Sequence, residues 1–383
     1  MIYYQCTQCG KKLPLDKTVY LCPVCGADWH PGEPLKGVLE TILDYHELAR
    51  KFNPEKPDWN LFSVVSSEFY PPIRIGNTPY FEAEKLSKQF GLKVMIKFDG
   101  CNPSGSLKDR ASFLMVAEAN RLGEKAIVCA STGNAASALA TICAATDVKA
   151  IIYVPGSAPK AKLIQMKLSG ADVREVDGTY DDAFKASIEH TRKHGTLNRN
   201  TAYHPLTIEG KKTVAFEIYE QNGFQVPDFI VVPVGDGVII SAVYKGFKDL
   251  MLAGFTERLP RLISVQTRTS NAINHFLETG DYQNAVNPTT IADSISVRTP
   301  SNVYMAARAV KESNGFGITV EEDEILPAQK NLFRGSGVFA EPAAAVTHCA
   351  LERLQASTKP NDKVVLLVTG HGLKDIESAG RNV

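Results

Sequence analysis

The chain has 383 residues, 42 basic against 42 acidic, and 44% of them are apolar. That length exceeds one ordinary domain and suits two domains plus a small appendage around a large core. Balanced charge argues against nucleic acid and anionic membranes as partners, and no apolar run reaches the roughly 18 residues of a membrane span. The start, MIYYQCTQCGKK, lacks a charged and then apolar leader, so the expected compartment is the cytosol. There the eight cysteines are expected as thiols or metal ligands, not as disulfides.

Residues 1–32 stand apart in composition, because they hold Cys6, Cys9, Cys22 and Cys25 as two Cys-x2-Cys pairs. Two such knuckles can present four thiolates to one tetrahedral ion, and Gly10 and Gly26 follow them where the backbone must turn. A segment this short has too little core to fold alone, so a metal would supply its stability. Free thiols and redox pairs are the alternatives, and four thiolates suit iron as well as zinc. With all four positions filled by protein, the site would be structural.

The spacing of Leu39, Ile42, Leu43, Leu48 and Phe52 predicts a helix over 38–52. The proline-rich stretch 54–72 is expected to run over the surface. Strands are then expected at 94–99, 126–131, 150–155, 229–235, 262–267 and 364–370. Helices are expected at 107–122, 134–146, 160–168 and 239–253. Apolar strands alternating with helices imply an α/β fold with parallel sheets covered on both faces.

Three turns in this pattern carry chemistry. In Asn102-Pro-Ser-Gly-Ser-Leu-Lys-Asp-Arg110, Lys108 opens a helix, where the partial positive charge disfavours the ammonium and favours a neutral, nucleophilic amine. An ordinary solvated lysine is the alternative, and spacing does not choose. Ser131-Thr-Gly-Asn-Ala-Ala136 follows a strand and opens a helix, which suits a carboxylate or an ordinary helix cap. Val234-Gly-Asp-Gly-Val-Ile-Ile-Ser241 also joins strand to helix. It fits neither the Gly-Lys-Ser/Thr nucleotide loop nor G-x-G-x-x-G, but its amides can cradle one phosphate.

Taken with GVFAEPAAA (337–345) and VTGHGLKD (368–375), these segments resemble the threonine synthases, pyridoxal 5′-phosphate (PLP) enzymes of the tryptophan-synthase-β-like fold type II group. The resemblance runs over most of the chain. It implies a two-domain PLP fold: a zinc-ribbon-like module at 1–32, a large domain of 33–118 and 208–383, and a small mobile domain at 119–207. It implies that Lys108 is catalytic and holds PLP, that Asn134 bonds the ring's 3′ oxygen, and that Thr369 faces the pyridine nitrogen. Gly235, Asp236, Gly237, Val238 and Ile239 would hold the 5′-phosphate, Ser131 and Thr132 the substrate carboxylate. Asp109 and Arg110 are expected to pair within the fold. The implied reaction turns O-phospho-L-homoserine and water into L-threonine and phosphate. A homodimer is an open expectation, because homodimers are common in that group.

Two positions depart from the family pattern. The phosphate loop reads GDGVI where many threonine synthases have GNAGN. Thr207 stands where an arginine suited to the substrate phosphate is expected, with Lys160, Lys162, Arg199 and Lys211 as candidates to supply the charge. The rival reading keeps PLP and changes the substrate, to β-replacement on a serine derivative or deamination of threonine or serine.

Overall fold

A computed structural model describes residues 1–16, 18–158 and 160–381. The chain divides into two compact units, Met1–Ile75 with Lys108–Thr213, and Gly76–Leu107 with Val214–Val383. Segments 1–32 and 119–207 both fall in the first unit, and 33–118 with 208–383 is shared between the two.

In the first unit, β1 (Tyr3–Cys6), β2 (Lys12–Leu13) and β3 (Leu39–Ile42) form an antiparallel sheet in the order β2-β1-β3. The helix expected over 38–52 is therefore only half right. Leu39–Ile42 pairs with β1, Cys6 opposite Leu39, and the helix begins at Tyr45 with Asp44 capping the Glu47 N–H. Leu39 and Ile42 fit either period; what decides is a partner 33 or more residues upstream, which no local pattern contains. The proline-rich stretch is likewise anchored: it makes 3-10 turns at Trp59–Phe62 and Ser67–Phe69, and Phe62 and Val65 are buried.

The second unit's sheet opens with β4 (Tyr80–Glu82) and β5 (Lys93–Phe98). The first unit's second sheet holds β6 (Ala126–Ala130), β7 (Lys149–Pro155), β8 (Asp172–Val176) and β9 (Leu197–Asn198), parallel in the order β8-β7-β6-β9. β10 (Phe229–Pro233), β11 (Arg261–Thr267), β12 (Phe316–Val320) and β13 (Lys363–Val368) complete the second unit in the order β12-β11-β10-β13-β5-β4. Only β4 runs antiparallel to its neighbour. β10 and β13 read FIVVP and KVVLLV because they lie mid-sheet with both faces covered, where β-branched residues pack well.

Each unit buries its own core. Val94, Ile96, Val231, Ile263, Leu366 and Val368 belong to the second, and Met115, Val116, Ile127, Leu139, Ile152 and Val154 to the first. The helix Lys108–Leu122 packs against the Ala-rich helix Asn134–Cys143, whose small side chains allow close approach. Asn134 and Lys108 thus open two helices of one layer. Among the described residues, no helix is long and apolar enough to cross a membrane.

Candidate functional site

The four N-terminal cysteines converge. Their sulfurs all lie within 4.8 Å of one another, and Cys9 Sγ is 3.7 Å from Cys22 Sγ. Four sulfurs about 2.3 Å from one central ion would be about 3.8 Å apart, so the set fits a tetrahedral centre. Gln8 N–H and Cys9 N–H point at Cys6 Sγ, at 3.4 and 3.5 Å, as thiolate stabilisation requires. Each knuckle closes on its glycine: Gly10 N–H donates to Cys6 O and Gly26 N–H to Cys22 O. The Lys11 N–H draws the Cys9 thiol down to about 7. Gly37 passes so close that a Cβ there would lie 2.9 Å from Cys22 Cβ.

In the second unit, the expected residues sit at the C-terminal ends of three neighbouring strands, β10, β13 and β5, where parallel sheets bind ligands. β10 runs into Gly235, Asp236 and Gly237, and the helix Val238–Leu252 starts at once. The first amides of that helix have no carbonyl partner within it, so they face outward as anion donors. Gly237 has φ +83°, and a Cβ there would meet Ala306 Cβ at 2.7 Å; only glycine allows this turn. Asp236 turns its backbone carbonyl to Asn302 N–H at 2.9 Å, and its carboxylate accepts the Ser301 N–H at 3.4 Å. Ser301 Oγ and Asn302 Oδ1, beside this loop, are buried without hydrogen-bond partners.

Thr369 follows β13 and is buried. Its carbonyl accepts the Leu107 N–H at 2.9 Å, and Gly370 bridges to Ser106. The turn leading to Lys108 is thereby tied to the strand end that carries Thr369. Ser106 Oγ is another buried atom without a partner. Asn102 holds the start of the turn, accepting the Gly76 N–H and donating to Asp99 O, both at 2.9 Å. Glu341, of the GVFAEPAAA segment, lies so close that a Cβ on Gly370 would sit 2.3 Å from its Oε1. Orphaned buried polar atoms around a glycine cradle fit a polar cofactor bearing a phosphate.

The first unit holds the other set. Lys108 is the first residue of its helix and half-buried. β6 ends at Ala130, Ser131 Oγ accepts the Gly133 N–H at 3.2 Å, and Asn134, buried, starts the next helix. Ser131, Thr132 and Asn134 therefore share one loop at the C-terminal end of a parallel strand. Asp109 and Arg110 are both buried, and Arg110 donates to Thr213 Oγ1 at 3.0 Å.

Around the Thr207 departure, Thr207 is buried and its hydroxyl donates to His204 O at 2.8 Å. Arg199 is buried, its Nε donating to Ser112 Oγ at 3.1 Å, one turn along the helix that Lys108 opens. Lys211 is buried with Nζ 3.2 Å from Thr207 O. Arg199 N–H donates to Val128 O on β6 at 2.8 Å, and burial raises the Cys129 thiol while the Arg199 and Lys211 charges oppose that rise. The Lys160 and Lys162 side chains lie outside the described residues. Asn198 and Asn200, which flank Arg199, were not expected at the site; an Asn-x-Asn closing a short strand is the available signal.

Comparison with known proteins agrees with this geometry. The family described as pyridoxal-phosphate dependent enzyme matches residues 73–370. The threonine synthase of Methanocaldococcus jannaschii is 35% identical, over 98% of this chain and 94% of its own. That of Methanosarcina acetivorans is 33% identical over 98% and 93%. Among solved structures, the processed form of threonine deaminase isoform 2 from Solanum lycopersicum superposes with a TM-score of 0.69 at 24% identity, covering 80% of this chain and 87% of its own. Maize serine racemase gives 0.69 at 23%, covering 80% and 91%; at such identity these two show the fold alone.

Proposed function

The chain belongs to the pyridoxal-phosphate dependent enzymes and, within them, to the threonine synthases, and from that premise we propose that it converts O-phospho-L-homoserine and water into L-threonine and phosphate. What carries the reading is the C-terminal end of the central strands of the second unit's sheet, where the glycine loop, Thr369 and the turn ending at Leu107 follow neighbouring strands.

PLP, when bound, spreads the charge left at the substrate's Cα after its proton is removed. Lys108 would hold the cofactor, and its free amine would take the Cα proton and move protons at Cβ. The amides of Gly235, Asp236, Gly237, Val238 and Ile239 would hold the 5′-phosphate, with the Asp236 carboxylate turned to the Ser301 N–H. Thr369 would offer the ring nitrogen a neutral hydroxyl, Asn134 would bond the 3′ oxygen, and Ser131 and Thr132 would take the substrate carboxylate. Arg199 and Lys211 supply the cationic charge for the substrate's phosphate that Thr207 does not. The Lys108→Ala protein should lose the visible absorbance of lysine-bound cofactor together with turnover; retention of both would remove the assignment.

A second reading, deamination of threonine or serine or β-replacement on a serine derivative, is favoured by one observation: Thr207 spends its hydroxyl on His204 O. Phosphate release, against 2-oxobutyrate or pyruvate production, separates the two.

For the four cysteines we propose a structural zinc ion, supported by the sulfur spacing. Metal analysis of purified protein should find zinc; iron in its place would overturn the choice.

A further inference from the structure

We propose that Tyr20 is a positioning residue for the substrate-carboxylate loop, acting from the four-cysteine segment through Asn198 and Asn200; this rests on the reading of Ser131, Thr132 and Asn134 given above. Tyr20 lies two residues before Cys22, and Leu21 between them bridges to Val38. The metal knuckle therefore fixes where its ring stands. The ring stacks on Tyr203 with centroids 4.7 Å apart and meets His204 edge-on at 5.2 Å. Its hydroxyl donates to Thr196 O at 3.4 Å and accepts the Asn198 N–H at 3.1 Å.

Those bonds fall on β9, a two-residue strand at the edge of its sheet, and on the residue just before it. So short an edge has few ladder bonds of its own, and an outside partner counts for much of its order. From β9 the bonding continues inward. Asn198 Oδ1 accepts the Asn200 N–H at 2.8 Å, and Asn200 Oδ1 accepts the Ala130 N–H at 2.7 Å. Asn198 Nδ2 also donates to Ser187 O and Thr191 Oγ1, and Asn200 Nδ2 to Ser187 Oγ. Both asparagines are buried, so each bond is expensive to leave unmade. Ala130 is the residue before Ser131. Three hydrogen bonds, none longer than 3.1 Å, thus lead from Tyr20 to the backbone that aims the carboxylate loop.

A separate observation places this segment under constraint. Ala202 is fully buried at φ +54°, a left-handed conformation that costs a non-glycine residue roughly 1 kcal/mol or more. Such a residue persists where its surroundings over-determine it, and the Tyr20 ring on Tyr203 is part of those surroundings.

The test uses the PLP-loaded, metal-loaded protein. Tyr20→Phe keeps the stacked ring and removes only the hydroxyl. KM for the amino-acid substrate should rise about fivefold while kcat stays within about twofold, the signature of a misaimed binding group. Cofactor absorbance and metal content should not change. Amide hydrogen exchange should speed up at Asn198–Asn200 and at Ala130–Asn134, and stripping the metal with a thiol reagent and chelator should reproduce that change. Asn200→Ala should raise KM too, and adding Tyr20→Phe to it should do little more, since both act through one chain of bonds. Faster exchange with unchanged KM would overturn the proposal and point to the carboxylate reading as the error. Unchanged exchange and KM would overturn it and leave that reading standing.

Discussion

Lys108 shares the first turns of its helix with a buried guanidinium, because Arg199 donates to Ser112. An arginine held there by a rigid hydrogen bond is preorganised to meet an oxyanion. Arg199→Gln should therefore raise KM for the phosphorylated substrate by roughly tenfold or more, in steady-state assays of the PLP-loaded enzyme. Gly237 tests the glycine loop of the second unit. Gly237→Ala puts a methyl 2.7 Å from Ala306 at φ +83°, and should cost about 3 kcal/mol in urea unfolding and weaken cofactor binding in a PLP titration. His204 sets an acid limit. Burial holds it down to about 3, while its Nδ1 accepts the Leu206 N–H. Between pH 6.5 and about 3 the unfolded chain binds a proton that the folded one refuses, so stability is full above 6.5 and falls as the pH drops. At pH 5 this group alone should have cost roughly 2 kcal/mol, a loss that His204→Gln should abolish in unfolding curves at pH 7 and 5. Lys108, Asn134 and Thr369 could be named as candidates because each sits in a short motif beside a turn, and the structure puts each directly after a strand or at a helix start. The cation proposed for the substrate's phosphate was left among four candidates, since nothing local in sequence marks a charge brought in from a distant strand end.

At the scale of elements, the strands expected at 94–99, 126–131, 150–155, 229–235, 262–267 and 364–370 lie within a residue or two of β5, β6, β7, β10, β11 and β13, because buried parallel strands are continuous apolar runs, whereas β12 (Phe316–Val320), half-exposed and interrupted by Gly317, was not foreseen. Residues 38–52 were not. Their apolar spacing suits a helix, yet Leu39 joins Tyr4, Cys6 and Cys22 in a small core that exists only once the knuckles close. Sheet and metal site are therefore one cooperative element. Cys22→Ser should drop zinc from about one ion per chain to a small fraction and melt this segment first, visible as fast amide exchange in β1 and β3. Unchanged exchange with the metal lost would mean that the sheet stands alone.

For the whole molecule, the alternation of strands and helices announced an α/β enzyme with parallel sheets, and the family match over residues 73–370 agrees. The partition at Ile75, Leu107 and Thr213 could not be read, since both units draw on segments far apart in sequence. Substrate choice turns on Thr207 and on Arg199 and Lys211, the two buried cations proposed to take the substrate's phosphate. The deciding measurement is product analysis of the PLP-loaded wild-type protein given O-phospho-L-homoserine, and separately threonine and serine. Phosphate and threonine released in equal amounts are the predicted result. Absence of phosphate release, with 2-oxobutyrate or pyruvate formed from the hydroxyamino acids, would contradict it.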